Sequence, residues 1–267
     1  MSDKTLVMPE QTSPSTLSHD SEALQEAKIM FDEVWSDLES AYGRKQLRFP
    51  REVFWLNGAP GAGKGTQTRF MMHERGFAAG PIVMSELCQS PEAQRRKDAG
   101  FLVDDREVIG LVLRALLDPQ YANGVVFDGF PRSAPQVECL RLLFKKMDEL
   151  HRENANTSDA AAFPKPNFHI WVLDIDASES VKRQLFRGNQ VKAWNDEVER
   201  TGVGEPQELR KTDVDEGAAR GRYNVFKTTT CESLLGLEND ARFCYHLIDA
   251  HGSIEAVQAR IREALSE

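Results

Sequence analysis

The stretch Gly58-Ala59-Pro60-Gly61-Ala62-Gly63-Lys64-Gly65-Thr66-Gln67 follows the apolar run Val53-Phe54-Trp55-Leu56, and this junction decides the fold. Gly58 and Gly63 frame four residues ahead of Lys64, the phosphate-loop spacing G-x-x-x-x-G-K-[ST] with one departure. Gly65 stands where Ser or Thr usually follows the lysine, and Thr66 comes one place later. Such a loop needs glycine because its N–H groups must turn inward around phosphate oxygens, leaving no room for side chains. Lys64 adds a point charge for the β- and γ-phosphates. The helix expected from Thr66 to Arg75 adds the positive end of its dipole, and Gly76 is its expected stop.

Outward from this loop, strands and helices alternate. Short apolar pieces at Pro81–Met84, Val125–Phe127, Phe168–Ile175 and Phe243–Ile248 read as buried strands. Helices are expected from Asp104 to Leu117, from Ala134 to about Leu150, from Ala177 onward, from Asp213 to about Leu237 and from Ile254 to Leu265. That alternation implies a parallel sheet covered on both faces, with ligands beyond the carboxyl ends of its strands. His151–Pro166 reads as a surface loop. Gly188–Glu208, which contains Gly202, Gly204 and Pro206, reads as a mobile segment.

At the start, residues 1–19 are polar and expected to be disordered. From Ser21 to Tyr42, Leu24, Ala27, Phe31, Val34, Trp35, Leu38 and Tyr42 fall on one helical face. This helix is an added element, expected to pack on the core or to mediate self-association with a second copy.

Composition narrows the partners. A net charge of −9 disfavours nonspecific attraction to nucleic acid or anionic membrane, so an anionic ligand needs a local cluster of cations. The four cysteines, Cys88, Cys139, Cys231 and Cys244, show no C-x-x-C spacing. That argues against a structural zinc site or a disulfide framework and for a reducing compartment, with the cytoplasm expected. No apolar run has the length of a membrane span.

A second motif, Phe127-Asp128-Gly129-Phe130-Pro131-Arg132, closes a buried strand, with Gln136 four residues on. An acid directly after such a strand, beside a phosphate loop, is placed to bind magnesium directly or through water. Arg132 can fork onto a phosphate with two N–H groups.

With these motifs the chain resembles the nucleoside monophosphate kinases, and among them adenylate kinase most. The matching pieces are GAPGAGKGTQ at 58–67, KDAGFLVDD at 97–105, FDGFPRSAPQ at 127–136 and VKRQLFRG at 181–188. RKTDVDEG at 210–217 and HLIDAHGSIEAV at 246–257 match more loosely. The resemblance implies a P-loop, three-layer α/β/α fold with a five-stranded parallel sheet, a short lid and a reduced acceptor-binding insertion. Residues 1–49 lie outside it, and 50–267 would form the kinase core, with the insertion at about 81–104 and the lid at about 188–212.

The implied activity is transfer of the γ-phosphoryl of Mg-ATP to a nucleoside monophosphate, AMP first. The alternatives are a kinase for another phosphorylated acceptor and a catalytically weak nucleotide-binding regulatory protein. Carried over by residue, Gly58, Pro60, Gly61, Ala62, Gly63, Lys64, Gly65 and Thr66 hold the ATP phosphates, with Thr66 and Asp128 toward magnesium. Arg132 and Gly129 serve the acceptor, Gln136 reads its base edge, and the backbone from Phe101 to Val103 lines its pocket. Arg183 and Arg187 resemble the pair at the lid base, and Arg222 the later clamp arginine. Lys211 or Arg210 takes the other clamp position, Asp213 fits a lid-base acid, and Gly252 approximates a backbone contact to the ATP adenine.

Three features depart from the family's pattern. Met84 replaces the base-contacting threonine, and Gln89 replaces a phosphate-binding arginine, with Arg95 or Arg96 as candidate substitutes. Ten residues separate Gln89 from Gly100, too few for two acceptor-binding helices. The lid has no metal-binding cysteines and is longer than the minimal form.

Overall fold

The structure is a computed structural model that describes residues 14–98 and 103–266. At its centre, strand β1 (Val53–Gly58) is buried at all six residues and pairs in parallel with β3 (Val125–Asp128) and β4 (Phe168–Asp174). β2 (Ile82–Val83) extends the sheet beyond β3, and β5 (Phe243–Asp249) extends it beyond β4. The order is β2-β3-β1-β4-β5.

Side chains alternate between faces along a strand, and here both faces are packed. Trp55 meets Phe127, Phe130 and Phe168 at ring separations of 5.3, 5.4 and 5.5 Å. Its neighbour Phe54, on the opposite face, meets His169, Phe77 and Trp171. Continuous apolar strands are what a parallel sheet under helices on both sides requires. This is the three-layer P-loop architecture. Leu56 of β1 lies level with Asp128 of β3, so the phosphate loop and the acid emerge side by side at the point where strand order reverses.

The helices begin and end where local chemistry permits. α2 (Lys64–Arg75) stops at Gly76. β2 runs directly into the one-turn α3 (Met84–Leu87), and α4 (Pro91–Asp98) follows. The Asp104 carboxylate accepts from the Arg106 and Glu107 amides to open α5 (Asp105–Leu116). Ser133 caps α6 (Ala134–Asn154), and Ser253 caps α10 (Ile254–Ala264). α6 thus runs past the expected end near Leu150. Among the described residues, no helix is long and apolar enough to cross a membrane.

α1 spans Pro14–Tyr42, so its first turns include residues read as a disordered tail; residues 1–13 lie outside the described residues. Ala27, Phe31, Val34, Trp35 and Leu38 are buried against α5 and α6. Trp35 stacks on Phe31 and Phe49, each at 5.8 Å, and the Cys139 thiol of α6 donates to the Ala27 carbonyl. The middle of the apolar face is therefore covered within the same chain, whereas Leu24 and Tyr42 at its ends stay exposed.

The largest difference lies in the segment read as mobile. α7 (Ala177–Thr201) runs unbroken through Gly188 and ends at Gly202. Gly188 marks a close approach rather than a break: a Cβ there would collide with the Asp213 carbonyl oxygen. The stretch after α7 folds back along it. Trp194 Nε1 donates to the Glu205 carbonyl at 2.9 Å, and Asn195 exchanges two hydrogen bonds with the Gln207 backbone. The expected helix from Asp213 to about Leu237 is present as a continuous run of α8 (Glu216–Val225), a π-helical stretch at Phe226–Cys231 and α9 (Glu232–Leu235), preceded by a 3-10 turn at Lys211–Asp213.

Deleting a buried aromatic from a packed helix costs about 3–5 kcal/mol. Trp35→Ala is expected to lower the unfolding free energy by about that amount in urea titration. An unchanged midpoint would show that α1 does not pack on the core.

Candidate nucleotide-binding and phosphoryl-transfer site

The phosphate loop is shaped by glycine at two points. Gly58 lies so close to β4 that a Cβ would stand 2.7 Å from the Leu173 carbonyl oxygen. Gly61, at φ 79°, adopts a left-handed conformation against α7. Within the loop the Ala62 amide donates to the Ala59 carbonyl, whereas the amides of Gly61, Gly63, Lys64 and Gly65 donate to no carbonyl among the described residues. Ser180 Oγ donates to the Pro60 carbonyl at 2.6 Å and ties the loop to α7. Open amides in a turn at a helix N-terminus form an anion seat.

Lys64 Nζ donates to the Gly58 carbonyl at 2.8 Å and lies 3.5 Å from that of Ala59. Burial pushes its ammonium down to about 8; Asp128 pulls the other way, and Arg132, Arg222 and Arg187 add to the depression. Arg132 is lowered by burial, with Asp128 opposing. Arg222 keeps part of its side chain in solvent, yet is lowered to about 10 by desolvation and then by Arg210, Arg132 and Arg187. These shifts mark one cluster of cations that act on one another. Arg210 thus joins the cluster, and both it and Lys211 are exposed. Concentrated like charge in a cleft favours a polyanion.

Each cation is aimed by a definite element. Arg187 on α7 pairs with the buried Asp213. Arg183, one turn earlier, pairs with Glu179 at 2.6 Å and donates to the Ala250 and Gly252 carbonyls. It also lies 3.5 Å from the Gly61 carbonyl, so it braces two loops. Arg132 Nε donates to the Gly129 carbonyl at 2.6 Å, while Asn57 holds the Phe130 carbonyl and Thr230 the Arg132 carbonyl.

Asp128 is half-buried and faces Lys64 and Arg132, and among the described residues neither its carboxylate nor the Thr66 hydroxyl has a hydrogen-bond or ion-pair partner. Their hard oxygens fit magnesium. Among the described residues no three His, Cys, Asp or Glu side chains converge as a cage, so such an ion would draw most of its oxygens from a ligand and water.

The acceptor side differs from expectation. Gln136 is buried and both ends of its amide are engaged: Oε1 accepts from the Arg132 amide, and Nε2 donates to Asp105, each at 2.7 Å. It braces the turn that carries Arg132, and reading a base edge would require exchanging these bonds. Met84 is a core side chain at the start of α3, and Val103 packs partly against the core. Phe101 and the Arg96 side chain lie outside what is described. Arg95, the candidate substitute for the arginine absent at Gln89, faces solvent and pairs with Glu92 on its own helix. Asp105 and Asn57 escape sequence reading because each acts through a partner distant along the chain.

No protein-family model matches the chain. Similar solved structures include a gluconokinase from Sinorhizobium meliloti 1021, 15% identical with a TM-score of 0.43, covering 82% of this chain and 93% of that one. A deoxyadenosine kinase from M. mycoides with bound dCTP is 14% identical, with a TM-score of 0.40 and coverage of 80% and 98%. The same kinase with dCMP and a flexible dCDP is 14% identical, at 0.39 with equal coverage. These are distant likenesses of chain path, and the functional reading rests on the site's own groups.

Since Lys64 is depressed to about 8, an empty site above that pH holds largely neutral amine. A triphosphate favours the ammonium, so binding should draw a proton from solvent at pH 8.5 and progressively less as the pH falls towards 7. Calorimetry with Mg-ATP in two buffers of different ionisation enthalpy measures this uptake. No uptake at pH 8.5 would place the triphosphate away from Lys64.

Proposed function

We propose that the chain moves the γ-phosphoryl group of Mg-ATP to a nucleoside monophosphate, with AMP the favoured acceptor (ATP + AMP = 2 ADP). The supporting observation is the gathering of Lys64, Arg132, Arg187 and Arg222 within electrostatic reach of one another beside the open loop amides. In this reading the loop amides and Lys64 seat the donor's β- and γ-phosphates, and Arg183 steadies the turn at Gly252 beside the donor base. Arg132 holds the acceptor phosphate. Arg187 and Arg222 offset charge on the group in flight. Bound magnesium, near Asp128 and Thr66, would neutralise the β- and γ-oxygens.

An oxygen of the acceptor phosphate forms the new bond to the γ-phosphorus while the bond to the β-bridging oxygen breaks. An acceptor phosphate is already ionised at neutral pH, so no general base is required. Placement in line and offset charge supply most of the rate in such transfers. Residues 50–267 form the kinase core of this proposal. The fold-back after α7, with Arg210, serves as the lid, and the shortened insertion around α3 and α4 faces the acceptor.

The AMP reading rests on the resemblance around Gln136. The occupied Gln136 amide, the core position of Met84 and the solvent-facing Arg95 favour a second reading, a different phosphorylated acceptor. A coupled assay with Mg-ATP and AMP, CMP, UMP, GMP or dTMP separates them. Fastest turnover with AMP is expected; equal or absent AMP turnover favours the second reading. ATP binding without turnover of any acceptor would instead indicate a nucleotide-binding regulatory protein.

Lys64→Ala is expected to lower turnover by about 10³-fold or more while circular dichroism stays native. Turnover near that of the unaltered chain would remove Lys64 from the proposed role.

A further inference from the structure

The turns that follow β4 and β5 are joined by one imidazole. His251 Nδ1 lies 2.6 Å from Asp249 Oδ1 at the end of β5, and Nε2 lies 3.0 Å from Asp176 Oδ2 at the start of α7. Asp176 also caps α7, accepting from the Glu179 amide at 2.9 Å. On the far side of the same turn, Arg183 holds the Ala250 and Gly252 carbonyls and reaches Gly61 of the phosphate loop. Arg260 of α10 donates to the Asp249 and His251 carbonyls at 2.7 and 2.8 Å, with its other nitrogen 3.6 Å from the Asp249 carboxylate. The groups facing this turn are therefore Asp176 and Arg183 (itself paired with Glu179) from the α7 side, Asp249 from β5 and Arg260 from α10.

We propose that His251 is a positioning residue for the donor nucleotide: by bridging Asp176 and Asp249 it fixes the turn carrying Gly252, the seat of the donor base. This rests on the kinase reading, in which that turn borders the ATP base. Only an imidazolium can donate to both carboxylates at once. When neutral, the ring retains one donor, and Nε2 can instead accept the Asp176 amide, which lies 3.3 Å away. Deprotonation thus exchanges the Asp176 carboxylate bond for a backbone bond and loosens the link to the α7 cap. The hydrogen bonds to Asp249 and Asp176 raise the His251 pKa above its ordinary value. The bridge is thus complete below that raised value and is lost as the pH climbs through it.

The decisive measurement is the Kd of Mg-ATP for the full chain and for His251→Gln from pH 5.5 to 8.5. Titration of ATP and of Lys64 is common to both proteins and cancels in the ratio. The variant is expected to bind about threefold more weakly at pH 5.5, the scale of an exposed ion pair, with the ratio approaching one by pH 8.5. kcat should be unchanged. A ratio independent of pH overturns the proposal.

An independent readout is the proton NMR titration of the His251 ring in nucleotide-free protein. Its midpoint should exceed that in Asp176→Asn, and equal midpoints overturn the bridge. If the unaltered chain has no affinity for ATP, the kinase reading and the donor-seat role of His251 fail together, whereas equal midpoints alone refute only the bridge.

Discussion

Crowding Lys64, Arg132, Arg187, Arg210 and Arg222 beside the phosphate loop sets like charges against one another, and the fold must hold them there. Burial and then cationic neighbours make Lys64 and Arg222 poorer proton holders, with Asp128 opposing at Lys64 and Asp213 at Arg222. Such an arrangement persists because the elements that present it are fixed elsewhere: β1 between β3 and β4, α7 against the Asp213 turn, and α1 over α5 and α6. The apolar layers stabilise a chain whose working end is electrostatically strained. A bound polyanion would relieve that strain, with the open loop amides available to its oxygens.

Much of this was legible in the chain because local chemistry and tertiary demand agree. The apolar runs at Val53 and Phe168 have a fate in both packing and hydrogen bonding only as buried parallel strands. The loop glycines at 58 and 61 stand out in the sequence through their motif spacing, although the close contacts that demand them come from Leu173 of β4 and from Ser180 and Arg183 of α7. Gly188 misled. Glycine looks alike in sequence whether it frees the backbone or admits another chain segment, and here it admits the Asp213 carbonyl. The early start of α1 was hidden by a polar first turn, and the π turn within the α8–α9 region has no compositional mark.

The candidate site divides along the same line. Lys64, Asp128 and Arg132 sit on contiguous motifs, so the sequence itself singles them out as candidates. Acceptor-side groups depend on what lies opposite them. Gln136 follows the motif faithfully, but the carboxylate of Asp105, 31 positions earlier, occupies its amide. His251 likewise gains meaning only when β4 and β5 bring two carboxylates to its two ring nitrogens.

The fold-back along α7 also gives the protein an optical handle of its own. Trp35, Trp55 and Trp171 are sealed in the core, whereas Trp194 is 41% exposed and hydrogen-bonded to the returning strand of chain at Glu205. An indole in that position emits at longer wavelength than its buried counterparts, and its spectrum depends on whether that bond is intact. Red-edge excitation would select it from the other three without a label, so rearrangement of this arm registers in the native chromophore.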